Sequence, residues 1–87
     1  MRIWFKMFSD ARIIKSETIE IIEEDTRTHK IFKGLEQVCN IFDLANPIWL
    51  ESNISEFQRS SKTRFGKDNF VEEIDFDFLE IHVIEED

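Results

Sequence analysis

The chain has 87 residues, which predicts one domain, and its 41% hydrophobic content with only two Gly and one Pro excludes a disordered polymer or a flexible linker. Net charge is −8, yet residues 1–67 hold 11 basic and 10 acidic side chains, while residues 68–87 hold nine acidic and no basic ones. Such a balance argues against general nucleic-acid affinity, because phosphate binding needs a cationic face.

In chain order, RIWFKMF alternates. Ile3, Phe5 and Met7 point to one face and Arg2, Trp4, Lys6 and Phe8 to the other, which predicts a strand. Ser-Asp-Ala-Arg is a turn without a glycine to set its type, and IIKSETIEII resumes as a second strand with Ile19 and Ile21 on one face and Thr18, Glu20 and Ile22 on the other. The two read as an antiparallel hairpin.

Ile31, Phe32, Leu35, Val38, Cys39 and Phe42 then recur at helical spacing and predict a helix over residues 26–44, capped by Asp25 or Thr26. Gly34 costs about 1 kcal/mol relative to Ala inside a helix, so close approach to a sheet is its expected reason. Asn46-Pro47 ends the helix, because the residue before proline disfavours helical geometry. Ile48–Leu50 reads as a short strand. Residues 52–60 read as one or two helical turns, capped by Ser52 or Asn53 and anchored by Ile54 and Phe57; SKTRFGKDN reads as a polar connection.

The last stretch, FDFLEIHVIEED, is acidic, but Leu79, Ile81 and Val83 alternate with Glu80, His82 and Ile84. A strand over residues 76–85 with an acidic outer face is expected, and Glu85, Glu86 and Asp87 are expected to fray. Ile74, Phe76 and Phe78 keep the opposite parity, which calls for a bulge or a later strand start.

This order predicts an α+β domain over residues 1–87 with a β-grasp-like (ubiquitin-like) mixed sheet: hairpin, helix, short strand, small helix, and a last strand parallel to the first. The helix then crosses the face of Ile3, Phe5 and Met7, and Glu80 lies near Arg2 and Lys6. A ferredoxin-like α+β sandwich competes but needs a second long helix.

The segments MRIWFK, DTRTHKIF, PIWL, SKTRF and DNF, followed by IDFDFLEIHVIEED, make nearly the whole chain similar to a family of small bacterial, Firmicutes-type proteins without an assigned function. The resemblance implies no activity.

The chemistry expected of a β-grasp chain does not fit the residues. Sulfur carriers and modifiers of that architecture need a terminal Gly-Gly where this chain has Glu-Glu-Asp, and plant-type ferredoxins need four cysteines where it has Cys39 alone. Cys39 is expected to be core and His29 solvated. No cofactor and no metal site is predicted. Glu73, Asp75 and Asp77 at strand spacing read as a solvated acidic face. No apolar run is long enough to span a membrane. The opening MRIWFKMFSDAR lacks the apolar stretch of a secretory signal, and with the lone cysteine the expectation is a cytoplasmic protein.

The functional expectation is a non-catalytic module that binds a protein partner or self-associates through the open sheet face. Its candidate interaction residues are Trp4, Phe8, Arg2, Lys6 and Ile84, with Ile22 beside them. The alternative is a nucleic-acid accessory using the basic segment 59–67, where Arg59, Lys62, Arg64 and Lys67 surround Phe65. A third reading is a small hydrolase using acidic residues 73–80 with His82.

Overall fold

The computed structural model describes all residues 1–87. The elements run β1 (Arg2–Ser9), β2 (Arg12–Glu20), α1 (Arg27–Phe42), α2 (Glu51–Ser60), β3 (Lys62–Phe65), a short 3₁₀ turn (Lys67–Asn69) and β4 (Phe78–Glu85). The four strands form one sheet in the order β2-β1-β4-β3.

The α+β class is as expected, but every strand pair is antiparallel, including β1 with β4. The parallel β-grasp arrangement is therefore corrected. The reason lies in residues 61–69, which are not merely a connection. Lys62–Phe65 forms an edge strand whose Thr63 and Phe65 pair with Ile81 and Leu79. The return from α2 sends β3 in the same direction as β1, and β4, antiparallel to both neighbours, therefore runs opposite to β1. The Lys6–Glu80 juxtaposition survives the correction, because antiparallel register also sets these two residues opposite each other.

The β1–β2 turn places Asp10 and Ala11 both at positive φ, 52° and 63°, the backbone sense that matches strand twist in a two-residue hairpin. Thr26 caps α1, its hydroxyl accepting from the His29 amide at 3.2 Å. Ile31, Leu35, Val38, Cys39 and Phe42 of α1 meet Ile3, Phe5 and Met7 of β1 and Leu79, Ile81 and Val83 of β4 in one core. Gly34 lies over Ile3, where a Cβ would sit 2.8 Å from Ile3 Cδ1.

Phe32, expected in the core, is 50% exposed and lies at the α1 margin against Trp49. Ile54 is also exposed, leaving Phe57 as the anchor of α2.

The predicted strand at Ile48–Leu50 does not join the sheet. Asparagines hold it instead. Ile48 donates to the Asn69 carbonyl at 2.6 Å and accepts from Asn69 Nδ2, and the Leu50 amide donates to Asn53 Oδ1. Asn53 Nδ2 in turn donates to Thr63 Oγ1 and the Arg64 carbonyl, which ties α2 to β3. Buried amides that satisfy one another in this way act as a structural unit.

β4 starts at Phe78, so the phase change is a later strand start, and Phe76 packs on Phe70 from the preceding loop. The expected fraying is also corrected. Glu85 belongs to β4, Glu86 binds Arg27, and the Asp87 carboxylate takes Lys30 and the Met1 amine. No helix is long and apolar enough to cross a membrane.

Candidate functional site

Parity on each strand divides the sheet into two faces, and both helices bury their apolar sides on one of them. The other face carries three rows of residues read across the strands. Thr18, Trp4, His82 and Lys62 form the first, Ser16, Lys6, Glu80 and Arg64 the second, and Ile13, Phe8 and Phe78 the third.

The centre of this face is Glu80. It is 3% exposed and is held by Lys6 Nζ at 2.7 Å and Arg64 Nε at 3.1 Å. Burial raises its carboxyl pKa, but the hydrogen bonds from Lys6 and Arg64 outweigh that, and the net position is below the usual carboxylate range. The same two cations lie on aromatic rings. Lys6 Nζ sits 3.9 Å from the Trp4 ring centre, and the Arg64 guanidinium 4.3 Å from that of Phe78. Phe8 and Phe78 stack at 4.7 Å, and Trp4 Nε1 donates to Ser16 Oγ at 2.8 Å. His82 Nδ1 is buried without a hydrogen-bond partner. Burial, then Lys6 and Lys62, lowers the His82 pKa below its ordinary value.

Of the predicted interaction residues, Trp4, Phe8 and Lys6 come together at the centre of this face. Arg2 stands at its margin, 3.8 Å from Glu85. Ile84 falls at the register break beside Arg2 and stays exposed, while Ile22 lies beyond β2. The segment 59–67 is split. Lys62 and Arg64 reach the open face, Phe65 is fully buried in the core, Arg59 ends α2 and Lys67 begins the 3₁₀ turn.

The sequence reading leaves Phe78 out of the interaction residues and includes Glu80 only in the hydrolase reading of residues 73–80, although their parity with His82 puts all three on one face. Glu73 and Asp75 lie in the irregular stretch before β4, away from strand spacing, and no group of three or more His, Cys, Asp or Glu is arranged to hold a metal ion.

Cys39 is 2% exposed, and burial pushes its thiol up to about 11, so it stays protonated at neutral pH. His29 is exposed and bound to Asp25 at 2.9 Å. A groove of about 300 Å³ lies between the helices, lined by Arg27, Ile31, Phe32, Trp49, Ile54 and Phe57. It arises because Trp49, in a predicted strand, instead inserts edge-on between Phe57 and Phe65.

Comparison of the chain with protein-family models, curated proteins and solved structures finds no match in any of the three.

Proposed function

We propose that the protein is a non-catalytic binding module that receives a protein partner on the open face of its sheet. The observation that carries this reading is the cluster of Trp4, Phe8 and Phe78 on the side left bare by both helices, set among Lys6, Arg64 and Glu80. Here the aromatic rings flank a charge-matched centre, and aromatic residues with Arg are the side chains enriched at protein interfaces. The central charges are already matched within the chain, so the face presents rings and oriented dipoles rather than a free cationic field.

One observation favours nucleic acid as a second reading. Arg64 of the basic segment lies over Phe78, and Lys62 shares a row with Trp4 across His82, a combination of cations and rings of the kind that tracks a single strand. Glu80 neutralises part of that field, and Lys6 and Arg64 already occupy the ring faces.

Photo-crosslinking in the native cell separates the readings. A benzoylphenylalanine at Thr18, on the open face, should give a discrete protein adduct that Trp4→Ser removes while the circular dichroism spectrum is retained. An RNA or DNA adduct supports the second reading. Adducts only from a probe at Glu36, on the exposed side of α1, overturn both.

A further inference from the structure

β2 is an edge strand of nine residues without Gly or Pro, RIIKSETIE. Met1 and Ile21 exchange both backbone hydrogen bonds, 2.8 Å and 3.0 Å, and the β1–β2 register runs unbroken from Arg2 to Met7. Antiparallel alternation therefore turns the N–H and C=O groups of Lys15, Glu17 and Ile19 toward β1 and those of Ser16, Thr18 and Glu20 outward. No backbone hydrogen bond outside the regular ladder satisfies these outward groups. Natural edges this long are ordinarily blunted or covered. The other edge, β3, is only four residues long and is abutted by α2.

The side chains of β2 have a matching peculiarity. Ile13 and Ile14 are 48% and 51% exposed, and none of Arg12, Lys15, Glu17 or Glu20 has an ion-pair partner within the chain. The charges are sorted along the strand, basic in the first half and acidic in the second. An antiparallel copy of the same strand, centred on Ser16, sets Ser16 against Ser16 on a two-fold axis, and Lys15 against Glu17 and Ile14 against Thr18 twice each about it. Opposite residues then share a face, as an antiparallel pair requires. The bulge in β2 opposite Met7 and Phe8 falls at Ile14, so the Lys15–Glu17 pairs about Ser16 lie in regular strand, while Ile14 and Arg12 lie at and beyond the bulge, toward the end where Thr18 and Glu20 of the second copy lie.

We infer that the outer edge of β2 is a homodimer interface, in which two chains join β2 to β2 about Ser16 into a continuous eight-stranded sheet. The two-fold axis stands perpendicular to the sheet, so both open faces lie on the same side, and the dimer is compatible with a partner on either. The inference rests on the edge and its charges and not on the binding role proposed for the open face.

Charge reversal and cysteine trapping test it. Lys15→Glu places like charges opposite each other twice, as does Glu17→Lys, and each should weaken dimerisation by roughly tenfold or more in sedimentation equilibrium. Mixing the two variants restores both pairs, and the mixture should dimerise like the parent chain. Under mild oxidation, Ser16→Cys should give a disulfide-linked dimer, since opposite Cα atoms lie about 5.5 Å apart. Thr18→Cys should not, being several residues out of register with itself. Circular dichroism of each variant confirms the fold. A parent chain that stays monomeric to millimolar concentration overturns the inference. So does a dimer indifferent to both reversals, or one trapped equally well through Thr18→Cys.

Discussion

Replacing Gly34 measures how closely α1 approaches the sheet, because two opposing effects of known size meet there. Alanine in place of a mid-helix glycine gains about 0.8–1 kcal/mol. Against that, the added Cβ would stand 2.8 Å from Ile3 Cδ1 and 3.8 Å from Phe5 Cζ, and both side chains are fully buried. Overpacking of this kind costs about 1–3 kcal/mol. The obstructing atom is the end of an isoleucine, so the clash belongs in the lower half of that range, and Gly34→Ala should leave the protein about 0.5 kcal/mol less stable, the propensity gain being slightly exceeded.

Ile3→Val removes the obstructing methyl group and should cost about 0.5–1.5 kcal/mol alone. In the double variant the alanine occupies the vacated space, so the propensity gain is kept without the clash, and the pair should be more stable than the sum of the single effects by about 1–2 kcal/mol. Urea denaturation of the four chains, read by tryptophan fluorescence, closes the cycle. Additivity within about 0.3 kcal/mol, or a Gly34→Ala chain stabilised by the full propensity gain, would refute the close approach.

Three further substitutions probe the core, its margin and the open face. Leu35→Ala should cost about 2–5 kcal/mol, whereas Phe32→Ala, removing a ring that is 50% exposed, should cost about 1 kcal/mol in the same denaturation experiment. Glu80→Gln should cost about 1.5–3 kcal/mol at neutral pH by removing hydrogen bonds between charged groups. Because Lys6 and Arg64 hold the folded carboxyl below the unfolded range, this contribution is complete above the ordinary carboxylate pKa and is lost as pH falls through the folded value. Parent and Glu80→Gln stabilities should therefore converge in acid, and a constant gap across the titration would argue against the ion pairs.

Parity carried much of the architecture. Ile3, Phe5 and Met7, then Leu79, Ile81 and Val83, could be assigned to the core face from alternation alone, and Trp4, Phe8 and Lys6 to the other. Alternation says nothing of strand direction, however. That depends on the direction in which Lys62–Phe65 joins the sheet, and there Thr63 and Phe65 are buried between cations that make the segment read as a loop. Ile48–Leu50 misled in the opposite sense. Its residues suit a strand, but the carboxamides of Asn53 and Asn69, placed by later turns of the chain, take the hydrogen bonds that a sheet would have supplied. Phe32 followed the helical stripe by spacing, and its exposure depends on where Trp49 inserts, which no local period encodes.

The pairing of β1 with β4 also sets the timing of folding during synthesis. Ile3 finds Val83 and Met7 finds Leu79 across almost the whole length of the chain. The β1–β2 hairpin can close locally, but its apolar face has only α1 to shelter it until the last strand has left the ribosome. Contacts so distant in sequence are slow to form, because a long loop must be closed before they contribute. At synthesis rates of about 5–20 residues per second, the interval between emergence of Phe5 and of Ile81 lasts seconds. During it, the nascent chain exposes the bare edge of β1 that β4 will later fill, a strand rich in aromatic and aliphatic side chains of the kind that chaperones shield.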